Sequence, residues 1–458
     1  MKKIAYIFIL MVLVLTSCKN NENLSEIVAK PNIVFILVDD LGYSDIAYMK
    51  QKKHLNTPNI DKLAATGKVF TRAYAAAPVC SPTRASILTG KSPAALKITC
   101  HIPGRDMEGY LKLQNKGKHI KEAYFLDHLP LEEKTIAEVL QSNGYATGFL
   151  GKWHLAGSGS IFSETDGMVT PQFHPEHQGF DINIGGCAYG QPKSWFAPYK
   201  NATIHEKNEG QYLTDRLGDE AVQFIVQNKK KPFFLYLSTY TVHTPLKAPQ
   251  EFIDNNKGNT YHAMIEKLDQ NVGKVIQQLE KSDLLENTMI VFYSDNGGLW
   301  GNLPLRDNKG SMFEGGIRVP LIVNWPGKIK ANRTDVPVTS VDIFPTFLEA
   351  TNSSYSSKAL EGISIWPLLT EDKEPKQRPL YWHFPHYRKK GFTMAAAIQE
   401  NDWKLIWSFE SDSTYLYNIK EDIGEIHDQS LNNPEKTKEL LQKLKNWQLS
   451  IDAEMPKK

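Results

Sequence analysis

The sequence predicts an α/β protein whose mostly parallel sheet is covered by helices on both faces, followed by a smaller α+β domain with an antiparallel sheet. Three observations carry this. Between Pro31 and about residue 370, apolar runs alternate with amphipathic helical patterns, as in sheets buried on both sides. The runs "NIVFILV" (32–38), "PFFLYLS" (232–238) and "TMIVFYS" (288–294) lack polar alternation, the mark of interior parallel strands. Past about residue 370 a charged, proline-bearing linker, "EDKEPKQRP", leads into short aromatic runs and one amphipathic helix.

Taken in order, the chain opens with Lys2 and Lys3 before "IAYIFILMVLVL", too short to span a bilayer as a mature helix and suited to an export signal. The run ends in "LTSC", which resembles a bacterial lipobox, in which Cys18 would become the lipidated N-terminus. Residues 1–18 are then the signal, the polar stretch 19–30 a tether, 31–370 one domain and 371–458 another. The expectation is an exported bacterial lipoprotein, anchored by its N-terminal lipid at the periplasmic or cell-surface side of the outer membrane.

The first apolar strand, 32–38, runs into Asp39 and Asp40. In "CSPTRASILTG", Ser81 suits an N-cap, Pro82 the first helical position and Gly90 the stop. "TIAEVLQSNG" carries Ile136, Val139 and Leu140 at helical spacing and a stop at Gly144. "YHAMIEKLDQNVGKVIQQLEK" sets Met264, Ile265, Leu268, Val272, Val275, Ile276 and Leu279 on one helix face. The strand 288–294 runs into Asp295 and Asn296. In the second domain "PLYWHF", "WKLIWSF" and "STYLYNI" read as strands, and a helix runs from about Pro434 to Leu449.

Lys plus Arg number 53 against 51 Asp plus Glu, so no basic field exists to attract nucleic acid, and none is expected as a partner. Any preference for an anion must be local. The four cysteines are Cys18, Cys80, Cys100 and Cys187. With Cys18 lipidated, three remain in an oxidising compartment, so one thiol is free or one is no longer a thiol. Cys100 and Cys187 can pair, with the connectivity open.

Two strands end in oxygen-ligand pairs, Asp39–Asp40 and Asp295–Asn296, at the carboxyl edge where ligands gather in α/β sheets. Adjacent carboxylates repel, and a hard cation such as Ca²⁺ or Mg²⁺ relieves this. Ordinary turn chemistry is the alternative for each pair. Cys80 stands at a helix N-terminus, where free N–H groups and the dipole favour an anion, and Arg84 lies one turn in. The site suits a sulfate or phosphate. A thiolate nucleophile would fit a helix N-terminus, but three residues between Cys80 and Arg84 leave no loop to wrap a phosphate as cysteine phosphatases do.

The spacing Cys-x-Pro-x-Arg, followed by Leu-Thr-Gly, resembles the signature of the formylglycine-dependent type I sulfatases of the alkaline-phosphatase-like superfamily. The resemblance continues in family order through "PNIVFILVDDLGYSD", "GYATGFLGKWHL", "FLYLSTYTVHTP", "FYSDNGG" and "NKGSMFEGGIRVP", and into the C-terminal "YWHFPHY" and "DWKLI". It implies the alkaline-phosphatase-like sheet. It also implies that a formylglycine-generating or other sulfatase-maturing enzyme oxidises Cys80 to 3-oxoalanine (formylglycine). One Ca²⁺ would be bound by Asp39, Asp40, Asp295, Asn296 and the modified Cys80. The aldehyde hydrate would attack sulfur to give a covalent sulfo-enzyme. By the same resemblance Arg84, Lys152 and Lys309 offset charge on the sulfate oxygens, His243 or Lys309 protonates the leaving oxygen, and His154 is the base. Lys91 stands where many relatives have Arg, and Thr83 where many have Ser.

Aromatic rings with cations in loops suit a sulfated glycan. "TCHIPGRD", "EHQGFD", "GQPKSWF" and "YWHFPHYRKK" supply His101, Arg105, His177, Trp195, His383 and His386 as candidate substrate-binding residues. The expected activity is sulfate ester hydrolysis on a sulfated carbohydrate or polysaccharide. A phosphate or phosphonate ester hydrolase of the same superfamily and a non-enzymatic binder of sulfated glycans are the competing readings.

Overall fold

Within the computed structural model the described residues are 30–49, 55–159, 166–355, 360–388 and 394–458. The export signal, Cys18 and the tether up to residue 29 lie outside the described residues. Among the described residues no helix is long and apolar enough to cross a membrane.

The strands are β1 (Asn32–Val38), β2 (Lys68–Phe70), β3 (Ala73–Tyr74), β4 (Ala146–Gly151), β5 (Ile182–Ile184), β6 (Phe233–Ser238), β7 (Thr288–Ser294), β8 (Leu321–Asn324), β9 (Asn332–Thr334) and β10 (Val338–Thr339). Those of the second domain are β11 (Leu380–Pro385), β12 (Met394–Glu400), β13 (Trp403–Ser408) and β14 (Thr414–Asn418). The main sheet has the order β5-β4-β6-β1-β7-β8-β2-β9, while β3 and β10 form a short parallel ribbon. Only β8 runs against its neighbours, β7 and β2. The three apolar runs are β1, β6 and β7 in the middle of the sheet, with every residue buried. Two groups of helices account for this. Pro58–Thr66 and Leu213–Asn228 both pack on Thr260–Lys281; Cys80–Thr89, Ile136–Ser142 and Ile343–Ala350 pack on one another. The long helix buries Met264, Leu268, Val272, Val275 and Leu279, the face expected of it.

The helix bearing Cys80 begins two residues earlier than its sequence suggests. Val79, extended, is the N-cap and Cys80 the first helical residue. Ser81 is therefore already helical and does not cap; its hydroxyl accepts the Ile102 N–H at 3.1 Å, tying the following loop to the helix start. Gly90, at φ +68°, ends the helix, its N–H donating to Ser86 O.

In the second domain the order is β11-β12-β13-β14, all antiparallel. Ala396, Ile398, Leu405 and Leu416 meet Leu440 and Leu444 of the helix Pro434–Ser450. The alternate residues Trp382, Phe384, Ala397 and Ile406 meet Tyr74, Val79, Cys100 and Phe313 of the first domain. Trp382 Nε1–H donates to Ala75 O at 2.8 Å. The small sheet thus lies against the segment that leads into Cys80.

Cys80, Cys100 and Cys187 are all buried and free. The pairing of Cys100 with Cys187, which the sequence left open, does not form, because the two thiols sit in separate clusters: Cys100 among the residues under the small sheet, Cys187 in the main core.

Candidate active site

Strand register brings the acidic pairs together. Val38 of β1 pairs with Ser294 of β7, so Asp39 and Asp295 emerge side by side at one edge. Ser238 of β6 pairs with both Leu37 of β1 and Gly151 of β4, which sets the next residue, Lys152, level with this edge. Gly151 has φ +107°, and a Cβ there would lie 1.8 Å from Ser238 O, so glycine alone permits this turn.

Each acid has its own cation. Lys152 Nζ donates to both Asp39 oxygens at 2.8 Å, Lys309 Nζ to Asp40 Oδ1 at 2.5 Å, and Arg84 Nε to Asp295 Oδ2 at 2.9 Å. All three carboxylates are fully buried. Burial raises Asp39 to about 6 against the pull of Lys152, and raises Asp295 despite Arg84. Burial acts likewise on Asp40, but Lys309, His243 and Lys152 prevail and hold it well below the usual carboxylate range.

The donor set fits a hard divalent cation. Asp40 Oδ2 and Asn296 Oδ1 are buried without a hydrogen-bond partner. One oxygen each of Asp39 and Asp295, and Cys80 Sγ, lie within 4.8 Å of one another. Unpartnered buried oxygens beside clustered carboxylates are the chemistry that Ca²⁺ or Mg²⁺ satisfies.

Cys80 Sγ lies 3.3 Å from His154 Nδ1. Burial pushes the thiol up, but Lys152 and Lys309 outweigh it and the net shift is downward. His154 Nε2 lies 2.9 Å from Ile102 O, an acceptor only, so Nε2 carries the proton and Nδ1 presents its lone pair to residue 80. Burial and Lys152 keep this imidazole neutral. A Cβ on Gly190 would lie 2.5 Å from the His154 ring, so a bare glycine backs the imidazole. His243 donates from Nδ1 to Thr244 O at 2.7 Å and sets Nε2 3.7 Å from Asp40 Oδ2. Burial lowers it to about 4, although Asp40 pulls the other way.

A cavity of about 180 Å³ opens on Cys80, His154, His243 and Lys309, and is also lined by His101, Gln191 and Arg388. Of the expected substrate-binding residues, His101 alone lines it. Arg105 is exposed next to the lining Gly104, and His177 is exposed on a short 3₁₀ turn. Trp195 is buried, stacked on Tyr212, with Nε1–H donating to Pro245 O: its role is packing. His383 lies within β11, where alternation opposite to Trp382 and Phe384 turns it to Gln448 of the terminal helix. His386 is buried between Thr99 and Glu122. Neither reaches the cavity.

Arg84 and Lys152 are not among the residues that line the cavity. Arg84 Nη1 donates to Lys152 O at 2.7 Å and Ser238 Oγ at 2.6 Å, while Nη2 lies 2.7 Å from Asp295 Oδ2 and is buried without a hydrogen bond. Buried carboxylates need nearby countercharge, and these two side chains supply it. Gln191 and Arg388, which do line the cavity, sit in the quoted loop segments but carry no distinguishing signal there.

The Sulfatase family model matches residues 31–353, and a model described as N-sulphoglucosamine sulphohydrolase, C-terminal, matches residues 305–453. A sulfatase of Formosa agariphila is 31% identical, over 97% of this chain and 93% of its own. The human N-acetylgalactosamine-6-sulfatase is 29% identical, over 83% of this chain and 72% of its own. The structure of Ps i-CgsB in complex with k-i-k-neocarrahexaose is similar with a TM-score of 0.76 at 34% identity, covering 91% of this chain and 92% of that one.

Proposed function

We propose that this chain, which belongs to the sulfatase family and is a sulfuric ester hydrolase, removes sulfate from a sulfated glycan. One observation carries the mechanism: residue 80 faces the unprotonated nitrogen of His154, at the floor of a cavity with Lys309 and His243, above three buried acids. The glycan class is supported by relatives whose names specify N-acetylgalactosamine 6-sulfate and by a neighbour in complex with a neocarrahexaose.

Sulfatases generally use formylglycine and Ca²⁺. Held by Asp39, Asp40, Asp295, Asn296 and residue 80, the ion would draw charge from a sulfate oxygen, and formylglycine at residue 80 would supply, as its hydrate, the attacking oxygen. The chain does the rest. His154, fixed by its bond to Ile102 O, accepts the proton from the group at residue 80. Lys309 keeps its charge, since Asp40 outweighs the effect of burial, and donates toward a sulfate oxygen or the leaving oxygen. His243 is held neutral with its Nδ1–H given to Thr244 O, so its Nε2 can only accept a proton, and protonation of the leaving oxygen falls to Lys309. Arg84 and Lys152 hold Asp295 and Asp39 in position.

Export and lipidation at Cys18, and maturation of Cys80 by a formylglycine-generating or other sulfatase-maturing enzyme, belong to the same reading. Two measurements test it. Mass spectrometry of native protein should find formylglycine in the peptide containing residue 80 and lipid on Cys18. Matured protein should cleave 4-nitrophenyl sulfate faster than 4-nitrophenyl phosphate, and lose that activity on chelation until Ca²⁺ is restored. Faster phosphate cleavage, or an unaltered thiol in fully active protein, would overturn the reading.

A further inference from the structure

Among the cations at the site, Lys152, Lys309 and Arg84 are each matched by a buried acid, Asp39, Asp40 and Asp295. Arg388 is not. It is half-buried in the lining of the same cavity, and among the described residues it makes no hydrogen bond or ion pair. Among the described residues, none that lines the cavity carries a carboxylate. Arg388 packs on Gly310, next to Lys309: a Cβ on Gly310 would lie 2.8 Å from Arg388 Nε. The guanidinium therefore opens onto the same cavity as Cys80 and Lys309. Gln191, likewise half-buried in the lining, has no partner for its amide among the described residues.

The backbone that carries Arg388 is anchored. Glu122, buried, accepts the Tyr387 N–H at 2.7 Å and lies 3.3 Å from His386 Nδ1. His386 Nε2 lies 2.8 Å from Thr99 Oγ1, and Tyr387 O–H donates to Ile120 O at 2.9 Å. His386 is thus a positioning residue that clamps the end of β11 to the loop leading to His101. A rigid donor fork without a counter-ion, in a cavity that receives one anion already, suits a second anion.

We propose, on the glycan-sulfatase reading above, that Arg388 and Gln191 form a second subsite: Arg388 takes a further anionic group of the glycan, sulfate or carboxylate, and Gln191 a neighbouring hydroxyl. The enzyme then prefers sulfated sugars that carry another negative charge near the scissile ester. The test compares N-acetylgalactosamine 6-sulfate with N-acetylgalactosamine 4,6-disulfate and with the 6-sulfate linked to a uronic acid. Both kcat/KM for matured protein and calorimetric affinity for the C80S protein are read, with 4-nitrophenyl sulfate as a one-anion reference. A second anion should raise kcat/KM and affinity about 10- to 100-fold, the range of a charge-assisted hydrogen bond. The disulfate and uronate arms identify which anion is taken. R388A should collapse the ratio toward one and R388K should restore part of it, since lysine keeps the charge without the fork. A wild-type ratio near one in both arms, or an unchanged ratio in R388A, overturns the subsite. If wild type still cleaves 4-nitrophenyl sulfate in that case, the sulfatase reading stands; if it cleaves no sulfate ester, that reading falls instead.

Discussion

Gly190 illustrates how closely one residue can govern the chemistry. The His154 ring is held between Cys80 Sγ and Ile102 O, and a methyl on Gly190 would overlap it at 2.5 Å. G190A is expected to displace the imidazole by about 1 Å and lower kcat on the order of 100-fold. Overpacking against the buried ring should also lower the melting temperature by a few degrees, so kcat is read well below the unfolding transition. Sulfate-release kinetics beside calorimetry check this; a kcat within twofold of wild type would mean that His154 is not the base. The same scale explains why the sequence over-counted glycan contacts. His383, His386 and Trp195 are residue types that bind sugars, yet burial and hydrogen bonding commit all three to the protein interior.

At the scale of elements, helix starts depend on single side chains. Thr135 and Glu138 form a reciprocal cap: Glu138 N–H donates to Thr135 Oγ1 at 3.1 Å and Thr135 N–H to Glu138 Oε2 at 2.8 Å. Thr135 Oγ1 also donates to Gln178 O, so the cap fastens the helix to a distant loop. T135A should cost about 1–2 kcal/mol, and T135S should recover most of it, read from chemical denaturation. Gly144 at φ +85° shapes the turn after this helix, as the sequence indicated. The strand β12 went unread because "MAAAIQE" is rich in alanine, which favours helix over strand. It forms because β11 and β13 pair with it on both sides.

At the scale of the whole molecule, two domains meet around a buried charge cluster. Lys404 of β13 lies 2.9 Å from both Glu314 of the catalytic domain and Glu425, and all three side chains are fully buried. Glu314 also pairs with Arg318 at 3.1 Å, whereas Lys404 is the one cation beside the Glu425 carboxyl among the described ion pairs. Burial and the nearby Glu314 outweigh Lys404 and raise Glu425 to about 7. A carboxyl whose folded pKa lies above its unfolded value of 4.5 gives its full stabilisation below that value and loses it as pH rises toward 7. Between pH 5 and 8 the melting temperature should therefore fall by several degrees through this group. E425Q, whatever its absolute stability, should flatten that slope; a slope equal to wild type would refute the assignment.

The sequence by itself determined the α/β class, the three central strands, the long helix and the acidic pairs that follow β1 and β7, because each is a local pattern of apolar spacing or strand-end chemistry. It also carried the Cys-x-Pro-x-Arg motif that marks the family. What the tertiary structure decided is which side chains face the cavity. Strand register joins Lys152 to Asp39 across 113 residues, and the loop after β7 brings Lys309 to Asp40 across 269. Arg84 turns inward because a buried Asp295 requires it, and Arg388 reaches the cavity only because the small sheet docks beside Cys80. Such choices arise from long-range pairing and from the cost of burying charge, neither of which has a local signature.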